Sequence, residues 1–92
     1  MMNEAIALLE VQANVAAIAG LDAMVKAANV RLIHVERRLG GRLVTVVVEG
    51  TVSDVTAAAE AGAAAAREVG KVKLCEVIAR PHPEVMKFLK QG

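Results

Sequence analysis

The sequence predicts an α+β domain in which an antiparallel sheet of four strands has two helices packed on one face. Three observations lead to this fold class. Two long segments have apolar residues spaced three and four apart, four shorter segments are runs rich in Val, Ile and Leu, and turn-forming residues separate them. The order is strand, helix, strand, strand, helix, strand, and then a short C-terminal helix. At 92 residues, the chain has the length of one small domain.

The first strand and the first helix lie in the N-terminal third. Residues 5–11 form a short apolar run between polar residues, which is typical of a strand. Apolar residues then recur at three- and four-residue steps over residues 14–28, which predicts a helix. Asn14 is the expected N-cap, and Asn29 is a residue type that tolerates the left-handed position after a helix.

A hairpin is expected in the middle of the chain. Residues 30–37 and 43–49 read as two strands, and the second of them is the clearest strand in the sequence. The paired glycines Gly40 and Gly41 between them mark a tight connection. The two strands should therefore pair directly with each other.

The C-terminal half predicts a helix, a strand and a final short helix. Thr51 or Ser53 can cap the second helix, and Gly70 stops it. Residues 71–79 form the fourth strand, and residues 84–90 the last helix. This βαββαβ order is the ferredoxin-like split pattern.

Composition excludes several functions. Lys and Arg (11) nearly balance Asp and Glu (10), so phosphate-driven binding of nucleic acid is not expected. One aromatic residue, Phe88, leaves no platform for stacked bases. A single cysteine, Cys75, excludes an internal disulfide and a multi-cysteine metal site within one chain. Since no nucleophile with its base, P-loop or carboxylate pair is recognisable, we expect neither an enzyme nor a bound cofactor.

The apolar content is high for the length of the chain. Hydrophobic residues make up 55% of the chain. A domain of this size buries only about 60–65% of the surface that its unfolded chain exposes, so much of this apolar surface must stay outside its own core. The excess lies in Ala and Val, which suit close flat contact between chains. No apolar run has the length of a membrane span, and the first residues lack the basic start of a secretion signal. We therefore expect a soluble cytoplasmic domain that associates with copies of itself and not with lipid.

Four blocks, taken together, resemble one protein family. They are residues 22–30 (DAMVKAANV), 43–50 (LVTVVVEG), 61–67 (GAAAAR preceded by Ala61) and 77–82 (VIARPH). In this order they are similar to the single-domain, hexamer-forming shell proteins of bacterial microcompartments, which include metabolosomes and carboxysomes.

The resemblance implies one shell domain over residues 4–88, with residues 1–3 and 89–92 as short termini. It also implies cyclic homohexamers that tile into a polyhedral shell in the bacterial cytoplasm. Other shell proteins would be its partners, enzymes would be encapsulated, and small metabolites would cross a pore on the sixfold axis.

The family pattern also assigns an edge between hexamers. Lys26 and Arg80 match the positions that meet across this edge, and Asn29 and His82 match positions beside it. A lysine stem can lie along a neighbour while its ammonium caps carbonyl groups, and a guanidinium can reach carbonyls in a fixed fork. Local alternatives exist for three of the four: a solvated lysine on a helix at Lys26, a helix C-cap at Asn29, and a turn residue after a proline at His82.

The central hairpin matches the pore loop of the family, although it is one residue longer and lacks the usual serine. The expected pore residues are Arg38, Leu39, Gly40, Gly41 and Arg42. Residues 36–42 hold three arginines and one glutamate, a local excess of +2 (3 − 1). Repeated six times at one pore mouth, this charge would favour anions and polar metabolites. A solvated basic hairpin tip is the simpler alternative.

Two further residues and one further function class remain open. Cys75 reads as a small buried hydrophobe, and His34 as a structural or interfacial residue without a metal-ligand partner at the required spacing. A small-molecule-binding regulatory domain of ferredoxin-like topology has the same order of elements, so fold alone does not exclude it. The joint presence of DAMVKAANV, GAAAAR and RPH favours the shell protein.

Overall fold

The fold is known from a computed structural model, which describes residues 4–91; the expected termini 1–3 and residue 92 lie outside the described residues. Seven regular elements follow one another along the chain, and a single 3₁₀ turn, Leu39–Gly41, joins the second strand to the third. The elements are β1 (Ala5–Val11), α1 (Asn14–Ala27), β2 (Arg31–Arg38), β3 (Leu43–Gly50), α2 (Val52–Arg67), β4 (Val72–Ala79) and α3 (Pro83–Gln91).

The four strands form one sheet in the order β2-β3-β1-β4, and each neighbouring pair is antiparallel. The central strand β1 is the most apolar, and Leu9 lies opposite both Val46 on β3 and Cys75 on β4. Five of the seven residues of β1 are buried, because strands on both sides and helices above cover it. The predicted fold class is confirmed.

Helices α1 and α2 cover one face of the sheet and touch each other through glycines. A Cβ atom on Gly20 would lie 3.2 Å from the carbonyl oxygen of Gly62, and one on Gly62 would lie 2.5 Å from Cγ of Met24. The small residues therefore allow the two helix backbones to approach closely. Met24 is fully buried and Leu21 packs against the same core.

Of the three helix caps predicted from the sequence, one is observed in the structure and two are not. Thr51 caps α2, because its hydroxyl accepts a hydrogen bond of 3.0 Å from the backbone N–H of Asp54. The expected cap at Asn14 is wrong: Ala13 occupies the N-cap position with φ 86° and no side-chain cap bond. The expected C-cap at Asn29 is also wrong, because α1 ends at Ala27 and the next residue is extended.

Helix α3 lies on the opposite face of the sheet. Leu89 is buried there with Ile6 and Val47, and Met86 packs against them. The helix covers only part of this face. Leu74 and Ile78 on β4 stay 43% and 42% exposed, and apolar surface is left over as composition predicts.

Candidate functional site

The two groups of expected site residues lie at opposite ends of the sheet. At one end Val11 pairs with Val44, next to the hairpin between β2 and β3. At the other end Ala5 pairs with both Gly50 and Ala79. The expected edge residues belong to this end, because they lie in the last turn of α1 or shortly after the ends of α1 and β4. Strands of eight residues separate the two ends by roughly 25 Å.

The hairpin is built from residues with positive φ. Leu39, Gly40 and Gly41 have φ values of 55°, 65° and 86°. This conformation is open to glycine without cost, whereas Leu39 carries a strain of about 1–2 kcal/mol. No described residue lies within 4 Å of the place where a side chain on either glycine would begin. The tip is therefore a narrow backbone turn with free space beside it.

The three arginines of the hairpin are separated from one another. The Nε of Arg42 donates a hydrogen bond of 3.1 Å to the carbonyl oxygen of Leu39, which holds this guanidinium against the turn. The Nε of Arg38 lies 3.8 Å from a carboxylate oxygen of Glu36. Arg37 instead donates to the side-chain oxygen of Asn14 at 3.4 Å, at the start of α1. Two of the three predicted positive charges therefore remain at the tip.

An open cleft of about 560 Å³ adjoins the hairpin. Leu39 and Arg42 form one side of it, and the turn after β1 and the start of β4 form the other; its remaining lining residues are Gln12, Ala13, Leu43 and Lys73. Ala13 is tied to the hairpin because its N–H donates to the carbonyl oxygen of Arg42 at 3.3 Å. The hairpin is thus held against the body of the domain.

The expected edge residues lie at the other end, and all four are exposed. Lys26 forms an ion pair of 2.9 Å with Asp22 one turn earlier on α1. Arg80 has a positive φ of 48°, directly after β4. The Nδ1 atom of His82 accepts a hydrogen bond of 3.0 Å from the N–H of Glu84, at the start of α3.

The backbone N–H of Asn29 donates to a carboxylate oxygen of Asp54 at 3.4 Å, so this residue joins the end of α1 to the start of α2. Within residues 4–91, no hydrogen bond or ion pair joins the four edge residues to one another. Their side chains are available for contacts outside the chain.

Sequence reasoning did not single out the buried carboxylate of Glu49. Only 3% of it is exposed, and the Nε of Arg31 donates to its Oε2 at 3.0 Å. The ammonium of Lys90 lies 3.4 Å from Oε1, although Oε1 accepts no hydrogen bond from the described residues. The alternation along β3, which places Val47 and Glu49 on the α3 face, is the signal that could have predicted it. The carboxylate joins β2, β3 and α3.

Cys75 is half-buried between β4 and α2, where its thiol lies 3.6 Å from the carbonyl oxygen of Ala59. Burial raises the pKa of this thiol above its ordinary value of 9.0; the positive charge of Arg67 opposes that shift and Glu76 adds to it. A protonated thiol is a poor nucleophile and a poor metal ligand.

Residues 4–91 contain no group of three or more His, Cys, Asp or Glu side chains able to hold a metal ion. None of their helices has the length and apolar character needed to cross a membrane.

The fold and the four sequence blocks define a class, the shell proteins of bacterial microcompartments. The family model described as "BMC domain" matches residues 5–81, and the chain belongs to this family. It is 52% identical over 92 residues to the "Bacterial microcompartment shell protein PduA" of Citrobacter freundii, with 100% of this chain and 98% of that protein covered. It is 45% identical over 89 residues to the "Bacterial microcompartment shell protein EutM" of Escherichia coli strain K12, covering 97% of this chain and 91% of that protein.

A solved structure supports the same assignment. A crystal structure of a microcompartments protein from Desulfitobacterium hafniense DCB matches with a TM-score of 0.84 and 29% sequence identity. The match covers 98% of this chain and 48% of that one, so this chain spans about half of the neighbour's length. The chain is a microcompartment shell protein, and the prediction that it is not an enzyme is confirmed by its relatives. None of these comparisons favours a ligand-binding regulatory domain.

Proposed function

We propose that this shell protein forms cyclic homohexamers that tile into the shell and carry a central pore for small anionic or polar metabolites. The observation that carries the proposal is the placement of the basic glycine hairpin and the four edge residues at opposite ends of the sheet. A tile needs this arrangement, because residues that converge on the ring axis must lie far from residues that meet the next ring.

Ring formation is supported by apolar surface on separate sides of the domain. On α1, Val15 and Ile18 are 65% and 62% exposed. Across the sheet, Leu74, Ile78 and Phe88 are also exposed, and Phe88 reaches 70%. Two different patches on one subunit allow a heterologous head-to-tail contact, and such contacts close into rings when the rotation between subunits permits.

A pore at the hairpin is supported by its backbone and its charge. Free space beside Gly40 and Gly41 lets neighbouring backbones approach an axis. Arg38 and Arg42 bring two positive charges per subunit to this end of the sheet, Glu36 beside Arg38 offsets one of them, and sixfold repetition concentrates the remainder at one mouth. The resulting field attracts anions and repels cations.

Tiling is supported by the exposure of the edge residues. The Lys26–Asp22 pair is exposed on both sides, and such helix pairs are worth only about 0.3–0.5 kcal/mol. Lys26 can therefore leave Asp22 for a backbone carbonyl of a neighbouring hexamer at little cost. We further propose that the shell lies in the bacterial cytoplasm, encloses enzymes and contains other shell proteins beside this one.

Pore function is tested by charge reversal. Arg38→Glu and Arg42→Glu should each lower the passage of a small anion through assembled sheets and raise that of a cation. Lys87→Glu makes the same charge change on α3 and should leave both unchanged. Mass measurement in solution must first give six copies. Flux equal to wild type in both arginine variants would contradict the pore assignment.

Tiling is tested separately. Lys26→Ala should leave the hexamer intact but abolish extended sheets in electron micrographs, because the edge contact is distinct from the contact between subunits. Asp22→Ala removes only the ion pair within α1 and should still form sheets. Loss of the hexamer itself in Lys26→Ala would show that this lysine belongs to the subunit interface.

A further inference from the structure

His34 links α3 to the hairpin strand β2. Its Nδ1 atom lies 2.9 Å from the carbonyl oxygen of Leu89, and its Nε2 atom lies 3.3 Å from Oε1 of Glu36. The side chain is 15% exposed. The histidine therefore has a fixed partner on each side of the ring.

Both partners of His34 can only accept a hydrogen bond. A backbone carbonyl has no proton to donate, and neither has an ionised carboxylate. A neutral imidazole has one N–H, so it satisfies either Leu89 or Glu36 and turns a lone pair toward the other. An imidazolium has two N–H groups and satisfies both. Only the charged ring donates to both partners.

Glu36 shares its carboxylate between His34 and the hairpin. While Oε1 faces the histidine, Oε2 lies 3.8 Å from the Nε of Arg38. This second contact is weak, because the side chains of Glu36 and Arg38 are both exposed to solvent. The carboxylate of Glu36 can cancel one positive charge only, so His34 and Arg38 compete for it.

The other charged groups on this face of the sheet have other partners or lie farther away: Arg31 donates to Glu49, and Glu76 lies on β4, at the opposite edge of the sheet from β2. Lys90, next to Leu89 on α3, lies 3.4 Å from Glu49 on β3. Glu10 on β1 accepts a hydrogen bond of 3.2 Å from the hydroxyl of Thr45. Val47, directly opposite His34 on β3, is apolar. Glu36 is therefore the carboxylate that responds to the charge of His34.

We propose that His34 and Glu36 together determine the charge that Arg38 presents at the pore mouth, which makes them specificity-determining residues of the pore. This inference rests on the proposed function. With neutral His34, the three side chains sum to zero, because Glu36 cancels Arg38. With protonated His34 the sum is +1, because the imidazolium neutralises the carboxylate of Glu36 and the charge of Arg38 is no longer compensated. Six subunits then add six positive charges to those of Arg42, and the pore becomes more selective for anions as the pH falls.

The first test is ion selectivity of the hexamer in planar bilayers at about pH 5.5 and about pH 8, which span the ordinary range of histidine titration. Wild type should show an anion-to-cation permeability ratio at least about twofold higher at the lower pH. His34→Gln should keep the high-pH ratio at both values. Glu36→Gln should raise the ratio at high pH. Glu76→Gln, which removes a carboxylate from the same face at the opposite edge strand, should behave as wild type.

A second measurement does not depend on the pore. The chain has two histidines, so the ¹⁵N signal missing from His34→Gln identifies His34. Its ring signals should shift in Glu36→Gln, which removes the carboxylate beside Nε2, and should match wild type in Glu76→Gln. Unchanged ring signals in Glu36→Gln, or selectivity in His34→Gln that still follows pH, overturns the inference. Absence of conductance in every protein, with the signal shift present, instead overturns the pore itself and leaves the His34–Glu36 contact in place.

Discussion

Substituting alanine for Gly62 should destabilise the domain, although alanine is the better helix former. The new Cβ atom would lie 2.5 Å from Cγ and 3.1 Å from Sδ of Met24, a full ångström inside ordinary contact for the first atom. Met24 is completely buried, so its side chain must repack within the core to make room. Overpacking of this kind costs about 1–3 kcal/mol, whereas the helix preference for Ala over Gly returns about 1 kcal/mol. We expect a net loss of about 1–2 kcal/mol.

The assay is urea denaturation followed by circular dichroism, at one fixed protein concentration because subunit association contributes to apparent stability. Ala64→Gly, at an exposed position of the same helix, measures the propensity term alone and should lose about 1 kcal/mol. In the Met24→Ala background the clash is absent, so Gly62→Ala should there become neutral or stabilising. A Gly62→Ala protein more stable than wild type would refute the close packing of α1 on α2.

Further predictions concern three single residues. Ala13→Gly should raise the free energy of unfolding by about 1 kcal/mol, because φ 86° and ψ 138° are strained for any residue with a Cβ; a loss of stability would contradict this. Thr51→Ala should cost about 1 kcal/mol in thermal denaturation by removing the cap of α2, while Thr51→Ser should retain most of the stability. Alkylation of Cys75 at neutral pH should be slower in the folded than in the urea-unfolded chain, because burial raises the pKa of its thiol; equal rates would contradict the burial. Because the folded chain holds this proton more tightly than the unfolded chain, stability should fall as the pH rises past the ordinary thiol value of 9.0, and Cys75→Ala should lessen that fall.

The sequence predicted the order of the elements because local patterns decide it. Alternation and apolar runs mark the strands, and three- and four-residue steps mark the helices. Helix ends were less predictable. Asn14 has the side chain of an N-cap, yet Ala13 takes that position, and Asn14 accepts a hydrogen bond from Arg37 instead. This contact joins residues 23 positions apart, so the local pattern around Asn14 does not reveal it.

The charges of the hairpin show a second limit. From the sequence, the arginines at 37, 38 and 42 form one basic group, and Glu36 subtracts one charge. In the structure they have three different partners, because adjacent strand residues point to opposite faces of the sheet. Counting charges along a hairpin therefore overstates what its tip presents.

By itself, the amino-acid sequence determined the fold class, the hairpin with its glycines, the surplus of apolar surface and the membership of the BMC family. Only the tertiary structure decided which end of the sheet each group occupies, that Glu49 is buried beneath Arg31 and Lys90, and that His34 meets Leu89 from 55 positions away. The physical reason is the distance along the sequence between the residues that interact. Backbone conformation and apolar periodicity are set by neighbours within a few residues, whereas ion pairs and burial depend on which distant segments the sheet places side by side.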